Sequence, residues 1–224
     1  MKAVAVAAQL FTPPGRECSL CPRLVAFRAA NRASWPDWHN APVPSFLSED
    51  PRLLVVGLAP GLRGANSSGR PFTGDYAGDL LYATLIKYGF AQGSYGARAD
   101  DGLTLVRTAI TNAVRCVPPE NKPTPAEAAA CRPFLVAEMA LFPSLRVVLC
   151  LGRISHEAVL RTLGRKLSEF PFGHGAVHHL DSGGRDSGLA IVDSYHCSRY
   201  NTNTGRLTTE MFEAVFEKIQ GLVI

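Results

Sequence analysis

The sequence predicts an α/β fold: a three-layer α/β/α sandwich around a mainly parallel four-stranded sheet, in one domain spanning residues 1–224. Three observations carry that expectation. Short apolar runs alternate with longer amphipathic stretches. The runs are continuously apolar, as strands buried on both faces tend to be. The length also fits one domain, since compact domains reach about 250 residues.

The strands are expected at Arg52 to Gly57, Leu105 to Asn112, Arg146 to Leu151 and Leu189 to Tyr195, each too short for a helix. Four helices are expected among them. Tyr76 to Tyr88 follows Asp75, a good N-cap, and closes on Gly89. Pro125 to Phe142 opens on Thr124, Pro125 and Glu127, a capping box with proline at its first position. Ser155 to Leu163 and Leu207 to Ile219 complete the set, the last with Leu207, Met211 and Val215 on one stripe. Pro36 to Pro51 is a proline-rich connector from an N-terminal arm, and Glu169 to Asp186 reads as a mobile glycine- and histidine-rich loop.

Composition narrows the classes. Apolar content of 46% with mean hydropathy near zero excludes a disordered tail protein. A chain of this size buries roughly 70% of its unfolded surface, so the sheet needs no metal to exist. No apolar run approaches the 18 or so residues of a membrane span, and Lys2 with Ala3 to Ala8 is too short for a signal peptide. The expected setting is cytoplasmic, with no membrane contact. Lys and Arg number 23 against 19 Asp and Glu, a net charge of +4. Residues 1–36 hold Lys2, Arg16, Arg23, Arg28 and Arg32 against Glu17, so this arm carries the whole excess, which points to an anionic partner.

Six cysteines in such a chain suggest metal or redox chemistry before disulfides. Cys18 and Cys21 form a CxxC; Cys116 and Cys131 form a second pair, one after a strand and one early in a helix. Four thiolates suit structural zinc or an iron-sulfur cluster. Spacing does not separate these, and frequency alone favours zinc. Cys150 lies in an apolar strand and reads as core.

Parallel sheets carry their working groups beyond the carboxyl ends of the strands. That rule selects Gly57 to Asp75, Asn112 to Cys116 and His196 to Asn201. The first of these sits where a phosphate loop would, yet it lacks the Gly-Lys-Ser/Thr ending and its glycines miss the dinucleotide fingerprint. Other chemistries fail on pattern too. Gly152 to His156 is no nucleophile elbow. The His-x-Glu of zinc deaminases is missing before the CxxC. His174, His178 and His179 have metal-like spacing, but the glycines around them argue against a helix.

Several ordered segments, CSLCPRL, the PVP connector, GLAPGLRGAN, GRPFTGD, ITNAVRC, PPENKPTPAEAAACRPF and HCSRYN, together resemble the uracil-DNA glycosylase superfamily, and specifically its type-5 branch of cluster-bearing enzymes. The resemblance spans most of the chain. It implies that Cys18, Cys21, Cys116 and Cys131 hold a [4Fe-4S] cluster, which displaces zinc as the leading expectation. It also implies a DNA partner containing uracil or other deaminated bases; the protein itself is expected to be a monomer.

A glycosylase must lift a base from the stack at a cost of a few kcal/mol and hold it by its edge. Phe72 suits the stacking role, worth about 1–3 kcal/mol. Asn112 matches the family's pocket asparagine, which meets a carbonyl beside an N–H. His196, in the position of the second signature, is the candidate donor to the departing base. Many relatives place an acid where this chain has Leu58, Ala59 and Pro60, so Asp75 is expected to orient the water, beside a role as helix cap. Gly57, Ala59 and Gly61 are expected to leave room for a larger base such as hypoxanthine. Arg63, Ser67, Ser68 and Arg70 are candidate phosphate contacts. In the superfamily the loop of Ser198, Arg199, Tyr200 and Asn201 enters the duplex, and Tyr200 or Arg199 would be the wedge. The alternative, kept open by the missing acid at Ala59, is a non-catalytic nucleic-acid-binding protein carrying a cluster or zinc.

Overall fold

The structure, a computed structural model, describes residues 12–180 and 188–223. Lys2, Ala3 to Ala8 and the 181–186 part of the expected mobile loop lie outside the described residues. In chain order, helix α1 (Pro22–Ser34) precedes strands β1 (Phe46–Leu47) and β2 (Leu53–Gly57). One helical turn, α2 (Ala65–Ser68), and α3 (Tyr76–Lys87) lead to β3 (Ala91–Gln92), β4 (Thr104–Leu105) and β5 (Thr108–Asn112). Then come α4 (Pro125–Met139), β6 (Val147–Leu151), α5 (Arg153–Thr162), β7 (Val177–Leu180), β8 (Leu189–Ser194), α6 (Arg199–Asn203) and α7 (Thr209–Leu222).

The main sheet has the order β1-β5-β2-β6-β8-β7. Its four inner strands are parallel and are the four expected ones. Six strands rather than four result because β1 and β7 add antiparallel edges. Both were hidden by length: β1 is two residues inside the proline-rich connector, and β7 lies within the expected mobile loop. The expected Leu105 to Asn112 strand is broken, because Arg107 takes a left-handed φ of 45°. Leu105 therefore pairs with Ala91 in a separate hairpin, and β5 starts at Thr108.

Alternation along each inner strand builds the two core layers. Leu53 and Val55 of β2 pack with Leu81, Leu85, Phe212 and Phe216 of α3 and α7. Leu54 and Val56 face the other way, onto Leu135 of α4 and Val159 and Leu160 of α5. Phe212 and Phe216 are fully buried, so truncating either to alanine would cost about 3–5 kcal/mol. The capping box forms as expected: Thr124 Oγ1 accepts from the Glu127 amide at 3.2 Å, and Glu127 Oε2 accepts from the Thr124 amide at 2.8 Å. Helix α1 escaped sequence reading because its buried face is Leu24, Arg28 and Asn31, one apolar residue and two polar ones.

Candidate active site and thiol centre

Strands β2 and β5 end side by side with Gly57 opposite Asn112. Because Gly57 has no side chain, two groups share the space above its α-carbon. A Cβ there would lie 2.5 Å from Phe72 Cζ and closer still to Asn112 Oδ1. Asn112 is only 3% exposed, and its side-chain amide has no hydrogen-bond partner among the described residues.

Phe72 sits in this wall with a left-handed φ of 51°, a conformation that costs a non-glycine residue of order 1–3 kcal/mol. The surroundings enforce it. Tyr95 Oη donates to the Phe72 carbonyl at 3.2 Å and Tyr82 Oη to the Pro71 carbonyl at 2.6 Å. Gly78 of α3 leaves the gap that the Phe72 carbonyl fills.

His196 follows β8 by two residues, its ring centroid 6.0 Å from that of Phe72. Burial pushes its imidazole down to about 4. Near neutrality the ring is therefore uncharged, with one N–H to donate and no hydrogen bond to it among the described residues.

Asp75 occupies the N-cap position of α3 but makes no capping hydrogen bond with its side chain. Its Oδ1 is buried without a partner. Burial raises its carboxyl above the ordinary value, and the nearby amides of Gly78 and Ala77 offset this only in part. The carboxylate rests on Gly61 and Gly64; a Cβ on Gly61 would lie 3.0 Å from Asp75 Oδ2. Gly57 and Gly61 therefore make room for the protein's own side chains, which corrects the expectation that they leave space for a larger base. Ala59 packs beside Leu24, Val114 and Cys131 instead.

The expected DNA contacts divide. Arg63 is exposed and Ser67 half-buried. Arg70 is no phosphate contact: its guanidinium meets Asp101 in a two-point ion pair at 2.8 and 2.6 Å, with side chains 6% and 3% exposed. It lies against the rings of Phe46, Tyr82 and Tyr95. Ser68 Oγ is committed to the Thr73 carbonyl at 2.9 Å. In the last loop Ser198 caps α6 and Asn201 Nδ2 donates to the His196 carbonyl at 2.8 Å, so both shape the loop. Arg199 and the 72% exposed Tyr200 project, with Arg199 over the Tyr76 ring at 5.3 Å.

The basic arm is also less free than its charge suggests. Arg23 pairs with Glu127 at 2.7 Å and Arg32 with Glu17 at 2.9 Å, while Arg28 is 4% exposed. Arg28 Nη2 donates to the Cys18 carbonyl at 2.7 Å, and its Nη1 lies 3.6 Å from Cys116 Sγ.

Cys18, Cys21, Cys116 and Cys131 line one cavity with Leu24, Val114 and Phe134. Burial pushes the Cys116 thiol up to about 12 and raises those of Cys21 and Cys131 as well. Such thiols ionise when a metal takes their charge, and two donors already face them, from Arg28 to Cys116 and from the Arg115 amide to Cys131 at 3.4 Å. The donor set fits an iron-sulfur cluster. Cys150, His156 and Asp193 form a second close group that sequence reasoning missed. There His156 Nδ1 lies 2.7 Å from Asp193 Oδ1 and Nε2 lies 2.9 Å from the Phe170 carbonyl. Burial lowers the His156 pKa, but the Asp193 hydrogen bond and charge outweigh it, so the net shift is upward. Both ring nitrogens are thus engaged within the protein, by Asp193 and by the Phe170 carbonyl.

An asparagine, an aromatic ring and a histidine thus gather at the carboxyl edge of a parallel sheet in an α/β fold. Residues 44–220 match the family model described as the uracil DNA glycosylase superfamily, and the chain belongs to that superfamily. It is 46% identical over 211 residues to a type-5 uracil-DNA glycosylase of Thermus thermophilus, covering 92% of this chain and 93% of that one. A type-5 uracil-DNA glycosylase of Mycobacterium tuberculosis is 41% identical over 213 residues, covering 92% of this chain and 78% of its own. A type-4 uracil-DNA glycosylase of Archaeoglobus fulgidus is 31% identical over 156 residues, 69% of each chain. Among the described residues no helix is long and apolar enough to cross a membrane.

Proposed function

We propose that the protein is a monofunctional DNA glycosylase that excises uracil by hydrolysing its N-glycosidic bond and leaves an abasic site. The observation that carries this reading is the convergence on Gly57: Asn112 and Phe72 crowd its α-carbon, and His196 stands 6.0 Å from the Phe72 ring. A flipped uracil stacks on Phe72 while the Asn112 amide meets a carbonyl and an N–H of its edge. As the glycosidic bond stretches, positive charge grows on the sugar and negative charge on the base. His196, as neutral imidazole, donates its N–H to the developing uracil oxygen. Asp75 orients the attacking water. Arg63 and Ser67 contact phosphates, and Tyr200 or Arg199 fills the gap left in the duplex.

Cys18, Cys21, Cys116 and Cys131 hold a [4Fe-4S] cluster whose contribution is structural, a crosslink between the arm and the loop after β5. The same pocket releases other deaminated bases such as hypoxanthine. Support for this is the lack of a carboxylate at Leu58 to Pro60: weaker water activation favours bases that leave readily as anions. The protein acts as a monomer.

Incubation with a uracil-containing oligonucleotide, followed by alkali, tests the reading: strand breakage at uracil is expected, and binding with intact strands would sink it. Hypoxanthine in the same assay tests the broader specificity. Asp75→Asn should lower the rate by about 100-fold or more with unchanged DNA affinity, and full activity in that variant would remove Asp75 from the mechanism.

A further inference from the structure

His174 does not join the pocket, yet it reaches the backbone beside it. Its Nδ1 lies 3.1 Å from the Tyr195 amide nitrogen, and its ring stacks on Tyr195 with centroids 4.9 Å apart and planes 15° apart. A backbone N–H can only donate, so Nδ1 must be the bare, accepting nitrogen. Tyr195 is the residue before His196, and the His196 ring has no hydrogen bond of its own among the described residues.

We propose that His174 is a positioning residue for His196: its unprotonated Nδ1 holds the Tyr195 amide, and its protonation releases the backbone that aims His196 into the site. This rests on His196 as donor to the leaving base. A proton on Nδ1 would set N–H against N–H, turning an attraction into a repulsion. The groups facing the ring make that proton unwelcome near neutrality. Burial lowers the His174 pKa, the Met211 carbonyl of α7 opposes that in part, and the Lys218 ammonium of α7 adds to it. Lys218 is held at this end of the loop by the Gly175 carbonyl at 2.7 Å. From β8, Ser194 Oγ stands 3.5 Å from Nδ1, and Arg206 lies 4.7 Å over the Tyr195 ring. The nearby Asp193 carboxylate is taken by His156, by His178 of β7 and by the Gly173 amide. Protonation of His174 therefore falls below the ordinary value of about 6.5. His196 itself protonates only at about 4, so the two events are separable in pH.

The test is the single-turnover rate on a uracil-containing oligonucleotide from about pH 8 to about pH 4.5. The wild-type rate should fall on the acid side with a midpoint below about 6.5. His174→Asn keeps an acceptor near the amide but does not titrate; its plateau should stay within about threefold of wild type while the acid midpoint drops by about a unit. His174→Ala should lose about tenfold in rate with KM unchanged. An acid midpoint that does not move in His174→Asn overturns the proposal. A second reading needs no variant: the Tyr195 amide NMR signal of the wild-type protein should shift with the His174 midpoint, and a signal that stays still across it is equally fatal. His196→Ala separates the two levels. If that variant keeps full activity, the donor role of His196 fails, whereas the link between His174 and Tyr195 stands or falls on the NMR titration.

Discussion

Gly57 shows how much of this site depends on a missing atom. Two neighbouring groups use its bare α-carbon, one amide and one ring, and neither can back away. Asn112 is fixed by its register beside Gly57 in the sheet, and Phe72 by the Tyr95 hydroxyl and a left-handed backbone. Gly57→Ala inserts a methyl within 2.5 Å of Phe72 Cζ. Overpacking of this sort costs about 1–3 kcal/mol, which a domain of this size tolerates. The pocket does not, because the methyl displaces both proposed recognition groups. The expected result is a folded protein, its melting temperature lowered by a few degrees, that has lost about 100-fold or more of its uracil excision rate. Near-normal kinetics in a folded Gly57→Ala protein would show that Asn112 and Phe72 do not read the base from these positions.

At the scale of elements, the segment between α2 and α3 carries Phe72 and is held by a hydrogen-bonded girdle. Arg70 Nε donates to Thr73 Oγ1 at 2.8 Å, Ser68 Oγ to the Thr73 carbonyl at 2.9 Å, and Arg70 closes on Asp101. None of this was legible in the sequence, where Arg70 is one of two exposed-looking arginines in a glycine-rich loop and its partner lies far along the chain. By contrast, the four inner strands and the helices α3, α4, α5 and α7 were legible within a few residues, because each announces itself through a local apolar run or cap. The carboxyl-edge rule likewise picked out the loops of Gly57, Phe72, Asn112 and His196. Removing one partner of a buried ion pair leaves the other charge unpaired, so Asp101→Asn should cost about 3–5 kcal/mol. The sign with pH follows from the same contact. The Arg70 hydrogen bond holds the Asp101 carboxyl well below the usual carboxylate range. Its contribution is therefore complete above about pH 4, the ordinary value, and is lost as pH falls through the lowered one. Denaturant unfolding should find Asp101→Asn less stable at neutral pH and its stability flatter in acid; an unchanged midpoint would demote the girdle to decoration.

For the whole molecule, the question is what joins the arm to the sheet. The arm contributes no strand to the main sheet among the described residues, and its best surface link, Arg23 to Glu127, leaves Arg23 42% exposed. That pair is a two-point one, Arg23 Nε and Nη2 donating to the two Glu127 oxygens at 2.8 and 2.7 Å, so it is a firmer link than a single surface contact. Buried contacts include Leu24 beside Val114 and Cys131, Arg28 between Cys18 and Cys116, and Asn40, whose Nδ2 donates to the Trp35 carbonyl at 2.6 Å. Among the described cations of the arm, Arg23 turns to Glu127 and Arg28 to the thiol cavity, Arg32 pairs with Glu17, and Arg16 stays exposed. The proposed cluster at Cys18, Cys21, Cys116 and Cys131 adds to these contacts a crosslink between the arm and the rest of the chain. Cys18→Ala should therefore free the arm without melting the sheet. Trypsin should cut at Arg16, Arg23, Arg28 or Arg32 at least about tenfold faster than in the wild type, while amide exchange in β2, β5, β6 and β8 stays slow. Equal cutting rates in the two proteins would mean that the arm docks without the centre. Loss of protection throughout the inner strands would mean instead that the sheet itself relies on it.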